Sequence, residues 1–265
     1  MRRRSPVVLA VVAVTILSVG MQAAISKAKN QVRLGPIAVS APRVATSGGT
    51  RPFHMIRFAP GQGVRLEAVW LGGGPGRTST VGAYVRANAS RGAVGGLNGD
   101  FFLLARKVPS GNLFLHRGRS FLGNTTRGAA VLAPDGGVDI RPGDVAFSAL
   151  LQEGQREATS GKPVYVNDGH VGLLGTLEPY QRNPAYQRAA VGRMANGDTA
   201  LIAVGDAGLS ARAFAQGLIK LGVVQALGMD IDSSANLNWR GVSLNRPGYQ
   251  RSIPTGIIIF RSPTG

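Results

Sequence analysis

The sequence predicts a single α+β domain, a mixed and largely antiparallel sheet with helices packed against it. Three observations lead to this fold class. Short apolar segments alternate with turn sequences rich in glycine, asparagine and aspartate, as antiparallel strands require. Only two segments have the spacing of an amphipathic helix. The 265-residue chain shows no internal repeat and no low-complexity segment, which favours one domain.

The first 30 residues have the order of an export signal. Three arginines follow Met1, and no charged residue occurs from Ser5 to Ser26. This order predicts a signal peptide over residues 1–30. The alternative is an uncleaved N-terminal anchor, since the uncharged stretch is long enough to span a bilayer. Both interpretations predict an exported protein, either extracellular, in the cell wall or anchored on the outer side. Contact with a membrane is expected only through such an anchor.

Residues 31–60 contain many turn-forming residues and predict a lead-in segment with an edge strand or two, before a domain over residues 61–265. Within the domain, near-alternation of apolar residues over 64–70 predicts the first strand. One helix is predicted over 78–88, and a longer one from an N-cap at Ser210 to Gly222. Further strands or hairpins are predicted at 93–98, 113–119, 129–132, 164–171, 189–204, 223–232 and 257–260.

The formal charge of +17 favours anionic partners, namely a sugar-phosphate or an anionic glycopolymer substrate. An arginine-rich proteome explains the charge equally well, because the arginines are scattered along the chain. No nucleic-acid-binding module is recognisable, so nucleic acid is not an expected partner. The sequence has no cysteine, which excludes disulfides, thiolate catalysis and cysteine-ligated zinc. Its three histidines lack metal-ligand spacing, which argues against a histidine-rich metal site.

The segment from Ala93 to Phe102 carries the first chemical cluster. A Gly-Gly pair allows close approach of a ligand or another backbone. Asn98 and Asp100 place an amide and a carboxylate where the strand ends, and such strand ends are common positions for sites. Asn-Gly is also a strong hairpin signal. On this stretch alone, a plain hairpin turn is the favoured interpretation.

A second cluster follows the second helix. If the strand continues to Asp232, then Asp230 and Asp232 share one face and lie roughly 6–7 Å apart. One could act as an acid while the other stays ionised. A divalent cation could also bridge the two carboxylates, with Ser233 or Asn236 adding an oxygen ligand. The alternative is a polar strand end, but the scarcity of acids in this chain favours a functional role.

Two arginines come just before strands. Arg188 leads into one predicted strand and Arg251 precedes Ile253-Pro254. A guanidinium can bind a phosphate through two parallel hydrogen bonds. Spacing alone does not distinguish either arginine from a solvated surface residue.

Taken in order, these clusters resemble the phosphodiester glycosidase family over about residues 60–260. The family has an "NGdFF" strand end, a Pro-x-Gly step, a "V-x-DG" segment, an "R-x-A-x-G" strand, a "DGGGS" loop and a final "R-x-V/I-P" strand. The matching segments here lie at 80–102, 109–111, 166–169, 188–192, 230–234 and 251–254. One departure is that the "DGGGS" loop reads Asp-Ile-Asp-Ser-Ser and has lost every glycine. Ile231 and Asp232 restrict the backbone there, so we expect the substrate or the site to differ from that of the family.

The resemblance implies an exported hydrolase that cleaves the glycosidic bond of a sugar-1-phosphodiester in an envelope glycan or glycopolymer. Such chemistry needs water activation and stabilisation of the departing phosphate. The residues expected to be catalytic are Asp230, Asp232, Asn98, Asp100 and Arg188. The residues expected to bind substrate are Gly99, Phe102, Asp168, Ser233, Ser234 and Arg251.

Two other functions remain open. The lost glycines and the high charge fit a non-catalytic binder of anionic envelope polysaccharide or teichoic-acid-like polymer. Salt-sensitive retention on such a polymer without product would indicate this function. A role as an accessory in exopolysaccharide assembly is a third interpretation, for which the sequence offers no positive mark.

Overall fold

The computed structural model describes residues 31–262, so the predicted signal peptide or anchor at 1–30 lies outside the described residues. The helices are α1 Val81–Ala87, α2 Phe147–Gln152, α3 Pro179–Arg182 and α4 Ala211–Lys220, with short 3-10 turns at Ala89–Arg91, Leu174–Thr176 and Asp232–Ser234. The strands are β1 Gln31–Leu34, β2 Ile37–Ser40, β3 Arg43–Thr46, β4 Gly49–Phe58, β5 Val64–Trp70, β6 Ala93–Asn98, β7 Phe102–Leu103, β8 Val108–Pro109, β9 Phe114–His116, β10 Arg119–Ser120, β11 Ala129–Leu132, β12 Val138–Arg141, β13 Ala158–Ser160, β14 Val164–Asn167, β15 His170–Val171, β16 Tyr186–Met194, β17 Thr199–Leu209, β18 Val223–Gly228, β19 Leu237–Trp239, β20 Val242–Ser243 and β21 Thr255–Arg261.

The strands form a nine-stranded sheet, two five-stranded sheets and a two-stranded ribbon. The large sheet has the order β1-β2-β4-β17-β16-β18-β14-β15, with β3 paired to β4. The five-stranded sheets run β20-β19-β6-β21-β5 and β10-β9-β13-β11-β12. Every strand pair within residues 31–262 is antiparallel, so the largely antiparallel character is confirmed, whereas the expected mixture with parallel pairs is not found there.

The segment predicted as a lead-in contributes four strands to the fold. β4 lies inside the large sheet, between β2 and β17, and pairs with β17 from Phe53 to Phe58. Phe53 and Phe58 are both fully buried. The prediction of an edge strand or two therefore underestimated the strands in residues 31–60. β4 is an internal strand, because it pairs with β17 on the side opposite β16.

The longer predicted helix is α4, with the N-cap at Ser210 as expected. The Ser210 hydroxyl accepts a hydrogen bond of 3.3 Å from the backbone nitrogen of Ala213, which satisfies one of the free donors of the first turn. Gly222 ends the helix with φ of +86°, a conformation that glycine adopts without strain. The ring of Phe214 stacks on Phe53 of β4 at a centroid distance of 5.5 Å.

Two strand ends position the candidate site. β6 pairs with β19 and β21 and ends at Asn98, so the chain does not turn back there as a hairpin. β18 ends at Gly228 beside Ala190 of β16 and does not continue to Asp232 as predicted. The chain after β6 and the chain after β18 come together at this point. Within the part of the chain that the structure describes, no helix combines the length and apolar character needed to cross a membrane.

Candidate active site

Asn98 connects the chain after β6 to the chain after β18. Its Nδ2 donates to the backbone oxygen of Asp230 at 2.8 Å, and its Oδ1 accepts from the backbone nitrogen of Asn236 at 3.0 Å. The backbone nitrogen of Asp230 donates in turn to the oxygen of Gly99 at 2.9 Å. Asn98 is fully buried. Asn98 was expected to be catalytic, and this geometry indicates that it orients Asp230.

Asp100 is a buried carboxyl group with three hydrogen-bond donors. Its Oδ1 accepts from the backbone nitrogen of Phe101 at 2.8 Å, and its Oδ2 accepts from Gly111 at 2.9 Å and from the Ser160 hydroxyl at 2.8 Å. Burial raises the pKa of Asp100, and these donors together with the charge of Arg127 offset part of that rise. Asp100 is therefore a fixed carboxyl group inside the site.

Asp230 has a pKa close to neutrality. Burial of the carboxyl group is the largest cause that raises its pKa from the ordinary value of 3.8 to about 7, and the charge of Asp100 adds to the rise. The Ser234 hydroxyl, the backbone nitrogen of Ile231 and the charge of Arg251 act in the opposite direction. Part of Asp230 remains open to solvent. A carboxyl group with this pKa can both accept and release a proton near pH 7.

The predicted pairing of Asp230 with Asp232 is wrong. Asp232 begins a 3-10 turn, is exposed, and adopts φ of +56°. This left-handed conformation favours glycine, which is the residue type at this place in the family pattern. The acidic neighbour that affects the pKa of Asp230 is Asp100. The sequence did not indicate the proximity of Asp100 and Asp230, because the predicted strand continued to Asp232 whereas β18 ends at Gly228.

The predicted substrate-binding residues Arg251, Ser233, Ser234 and Phe102 lie together beside Asp230. Nη1 of Arg251 donates to the hydroxyl of Ser233 at 3.0 Å and to that of Ser234 at 3.3 Å. The Arg251 guanidinium carbon lies 5.4 Å from the centre of the Phe102 ring, within cation–π distance. Arg251 thus brings a positive charge to one side of the Asp230 carboxyl group.

Arg188 does not face this site, contrary to the predicted catalytic role. Its residue exposure is 0%, and its Nη1 donates to the Tyr165 hydroxyl at 3.0 Å. Nε donates to the backbone oxygen of Leu209, and Nη2 donates to that of Gln181 at 2.8 Å. The guanidinium binds protein oxygens beneath α4 and offers no face to a substrate phosphate. A local sequence pattern could not show this, because the partners come from three separate segments.

Two further predicted ligands have structural roles. Asp168 is exposed in the turn between β14 and β15, with φ of +49°, followed by Gly169 at +77°. Positive φ at both positions is typical of the two-residue hairpin turn, and this turn lies at the end of β14 away from the site. Gly99 lies at the site, but a Cβ there would come within 2.3 Å of Thr255 Oγ1. Close packing against β21 therefore explains this glycine.

Four residues around Asp100 were not predicted from the sequence. Ser160 and Gly111 donate hydrogen bonds to its carboxyl group. Arg127 and Lys162 are cations whose charges act on neighbouring groups of the site. The Pro-x-Gly step ending at Gly111 was part of the family pattern, which is the one signal that could have indicated a role. Lys162 and Arg127 carry no such signal among 30 basic residues.

Among residues 31–262, the one group of side chains spaced to hold a metal ion includes neither Asp230 nor Asp232. Ligand atoms of Glu67, His116 and Glu157 lie within 4.8 Å of one another. Glu67 already pairs with Arg65 at 2.8 Å and with Arg117 at 3.3 Å. The group is thus satisfied as an ion-pair network. The expected bridging of a cation by Asp230 and Asp232 gains no support, since only the first of them lies in the site.

A cleft of about 720 Å³ lies at the N-terminus of α4, away from Asp100 and Asp230. Arg182, Ser210 and Arg212 contribute to its walls. Neither Asp100 nor Asp230 lines this cleft. The two buried carboxyl groups with raised pKa values therefore place the candidate active site at Asp100 and Asp230 and not in this cleft.

Solved structures show the same fold. A hypothetical protein from Synechocystis superposes with a TM-score of 0.70 at 18% identity, over 86% of this chain and 62% of that one. The zebrafish N-acetylglucosamine-1-phosphodiester alpha-N-acetylglucosaminidase catalytic domain, auto-inhibited by its pro-peptide, superposes with a TM-score of 0.69 at 18% identity, over 85% of this chain and 83% of that one. Comparison with curated proteins found no significant match. The family model of phosphodiester glycosidase matches residues 91–260, which is more than half of the sequence, and the chain therefore belongs to the phosphodiester glycosidase family.

Proposed function

We propose that this protein is a hydrolase that cleaves the glycosidic bond of a sugar-1-phosphodiester. Family membership supports a hydrolase of this kind. The observation that supports it most directly is the Asp230 carboxyl group, whose pKa of about 7 results mainly from burial, with a contribution from Asp100. Groups that transfer protons in catalysis work best when their pKa lies near the operating pH.

In the proposed reaction, water attacks the anomeric carbon of the sugar. A bond forms between the water oxygen and this carbon, and the bond to the phosphate oxygen breaks, with its electron pair leaving on the phosphate. The ionised Asp230 takes the proton that the water loses and later releases it to solvent. The products are the free sugar and a phosphomonoester. Because a phosphate is a good leaving group, this step does not require a strong general acid.

Of the two arginines predicted to bind the phosphate, Arg251 lies at the site and Arg188 does not. The Arg251 guanidinium lies beside Asp230 and is held by hydrogen bonds to Ser233 and Ser234. In this position it stabilises negative charge that develops on the departing group. Asn98 acts through Asp230 as a positioning residue, since its side chain contacts only protein backbone.

The substrate we propose is an anionic glycan of the cell envelope, met after export. The export-signal pattern at the N-terminus and the formal charge of +17 support this choice. Salt dependence tests the contribution of charge. If the basic surface attracts the polymer, kcat/KM on a polymeric substrate should fall with ionic strength more steeply than on a small phosphodiester.

The test is a comparison of wild-type protein with Asp230→Asn on a panel of sugar-1-phosphodiesters, with and without divalent cations. Phosphorus NMR would follow the appearance of the phosphomonoester, and a sugar assay would follow the other product. Wild type should release both products in equal amounts, while Asp230→Asn should lose at least about 100-fold in rate. Asp139→Asn, the same change at an exposed strand residue, should retain wild-type activity.

Two results would contradict the proposal. Absence of product from every phosphodiester would remove the assigned activity, and salt-sensitive retention on a teichoic-acid-like polymer would then favour the binding function. Wild-type rates in a folded Asp230→Asn variant would remove the assigned proton acceptor.

A further inference from the structure

Lys162 places an ammonium group at the rim of the candidate site. The residue is 7% exposed, but its ammonium is less enclosed by protein than the carboxyl groups of Asp100 and Asp230. Nζ lies 5.0 Å from the centre of the Phe101 ring and donates to Gln181 Oε1 at 3.3 Å. An ammonium has three donors, and this geometry occupies one of them.

Arg127 lies on the same side of the site. It is half-buried, and its Nη1 donates to the Ser110 hydroxyl at 2.8 Å. Ser110 adjoins Gly111, which donates to the Asp100 carboxyl group. The charge of Arg127 is strong enough at this range to lower the pKa of both Asp100 and Lys162.

Within residues 31–262, neither of these two cations has a carboxylate at ion-pair distance, since none of the ion pairs within 4.0 Å there includes Lys162 or Arg127. Burial is the main cause that lowers the pKa of Lys162, and repulsion from Arg127 adds to it, while the charges of Asp100, Glu178 and Asp230 act in the opposite direction. Two like charges held close together and partly buried are costly unless an anion completes the arrangement.

We infer that Lys162 and Arg127 form an anion-binding subsite that takes a phosphate group. A tetrahedral phosphate can accept hydrogen bonds from an ammonium and from a guanidinium at the same time. That this phosphate belongs to the substrate rests on the proposed function, whereas the anion site itself does not.

The subsite is separate from Arg251. Lys162 contacts the ring of Phe101, and Arg251 contacts the ring of Phe102. Lys162 is held by Gln181 of α3, whereas Arg251 is held by Ser233 and Ser234 in the chain after β18. Asp230 experiences the charges of Arg251 and Asp100, and the charge of Asp230 in turn acts on Lys162. Asp230 thus interacts electrostatically with both cations.

Calorimetry with inorganic phosphate tests the subsite without reference to catalysis. We expect wild type to bind phosphate, and Lys162→Met and Arg127→Met each to lose roughly 10- to 100-fold in affinity, the range for one charge-assisted hydrogen bond. Lys162→Arg should restore much of the binding. Lys220→Met makes the same change at an exposed residue on the last turn of α4 and should bind phosphate as wild type does.

A second arm identifies which phosphate the subsite takes. If Lys162→Met lowers kcat/KM equally on substrates with one and with two phosphate groups, the subsite holds the phosphate at the scissile bond. If the loss occurs only with the second phosphate present, the subsite holds a neighbouring group of a polymer. Either result supports the subsite.

The inference is overturned if wild type does not bind phosphate, or if folded Lys162→Met binds it as tightly as wild type. Loss of phosphate binding in Lys162→Met, with no hydrolysis by wild type of any phosphodiester, would leave the subsite standing and remove only the proposed reaction.

Discussion

Nδ2 of Asn98 donates a 2.8 Å hydrogen bond to the backbone oxygen of Asp230, and this bond joins two strand ends of different sheets. The same side chain accepts from the backbone nitrogen of Asn236. An amide is the one side chain of this size that both donates and accepts, so neither aspartate nor leucine reproduces the arrangement. The position of the Asp230 backbone therefore depends on the side chain of Asn98.

Asn98→Ala should destabilise the fold and weaken catalysis together. It removes buried hydrogen bonds and leaves backbone groups of Asp230 and Asn236 without partners, which we expect to cost about 2–4 kcal/mol. Urea unfolding measures this loss, and phosphomonoester release measures activity under conditions where the variant is folded. Asn196→Ala, in the exposed turn between β16 and β17, should cost about 1 kcal/mol or less. An Asn98→Ala protein of wild-type stability would contradict the role of this side chain.

Arg188→Met should act on stability and leave phosphate affinity unchanged. The substitution leaves the backbone oxygens of Leu209 and Gln181 and the Tyr165 hydroxyl without a buried donor. We expect a loss of about 3 kcal/mol or more in the free energy of unfolding. Arg193→Met changes an exposed arginine of the same strand and should have little effect.

Phosphate titration of the folded fraction separates the two roles of Arg188. The structural role requires wild-type affinity in the part of Arg188→Met that stays folded. A fully stable variant that no longer binds phosphate would instead return Arg188 to the ligand role that the sequence predicted.

Local signals in the sequence predict the parts of this fold that local interactions determine. Thr80 and Ser210 each cap a helix by accepting from a backbone nitrogen three residues later, and both helix starts were predicted within three residues. The Asn196-Gly197 turn and the apolar run of β21 are equally local. In each case the residues that decide the structure are neighbours in sequence.

The site was only partly predictable because its geometry depends on distant partners. Asp100 is held by Ser160, and the role of Arg188 depends on Tyr165 and Leu209, none of which is adjacent in sequence. Asp232 adopts the left-handed conformation that the altered loop was expected to restrict. Aspartate tolerates this conformation better than most residues, so the loop keeps its turn at some cost.

Gly111→Ala should disrupt the hydrogen bonds that hold the Asp100 carboxyl group. A Cβ at this position would come within 2.3 Å of Asp100 Oδ2 and within 2.4 Å of the Ser160 hydroxyl oxygen. Since both neighbours are buried, the carboxyl group has to move, and we expect a loss of about 1–3 kcal/mol in stability together with a marked loss of activity. Gly74→Ala adds a Cβ in open space and serves as the control. Wild-type stability and rate in Gly111→Ala would show that Asp100 can shift without consequence.

The raised pKa of Asp230 predicts how stability depends on pH. In the native state the pKa is about 7, and in the unfolded chain it returns to the ordinary 3.8. Between these values the native state holds a proton that the unfolded chain has released, so the free energy of unfolding falls as pH rises through this window. Below pH 3.8 both states are protonated, and the contribution of Asp230 is then fully present.

The asparagine of Asp230→Asn cannot ionise, so the free energy of unfolding of this variant should not fall with pH for this reason. We expect the variant to gain stability relative to wild type as pH rises from 4 to 8, reaching up to about 3 kcal/mol at pH 8. Urea unfolding at several pH values measures the difference between the two proteins, and this difference cancels the titration of groups that do not interact with Asp230. For the control Asp139→Asn, the difference from wild type in the free energy of unfolding should change little between pH 4 and 8. If the Asp230→Asn curve runs parallel to that of wild type from pH 4 to 8, the Asp230 carboxyl group is not held near neutrality, and it is then not the proton acceptor that the proposed reaction needs.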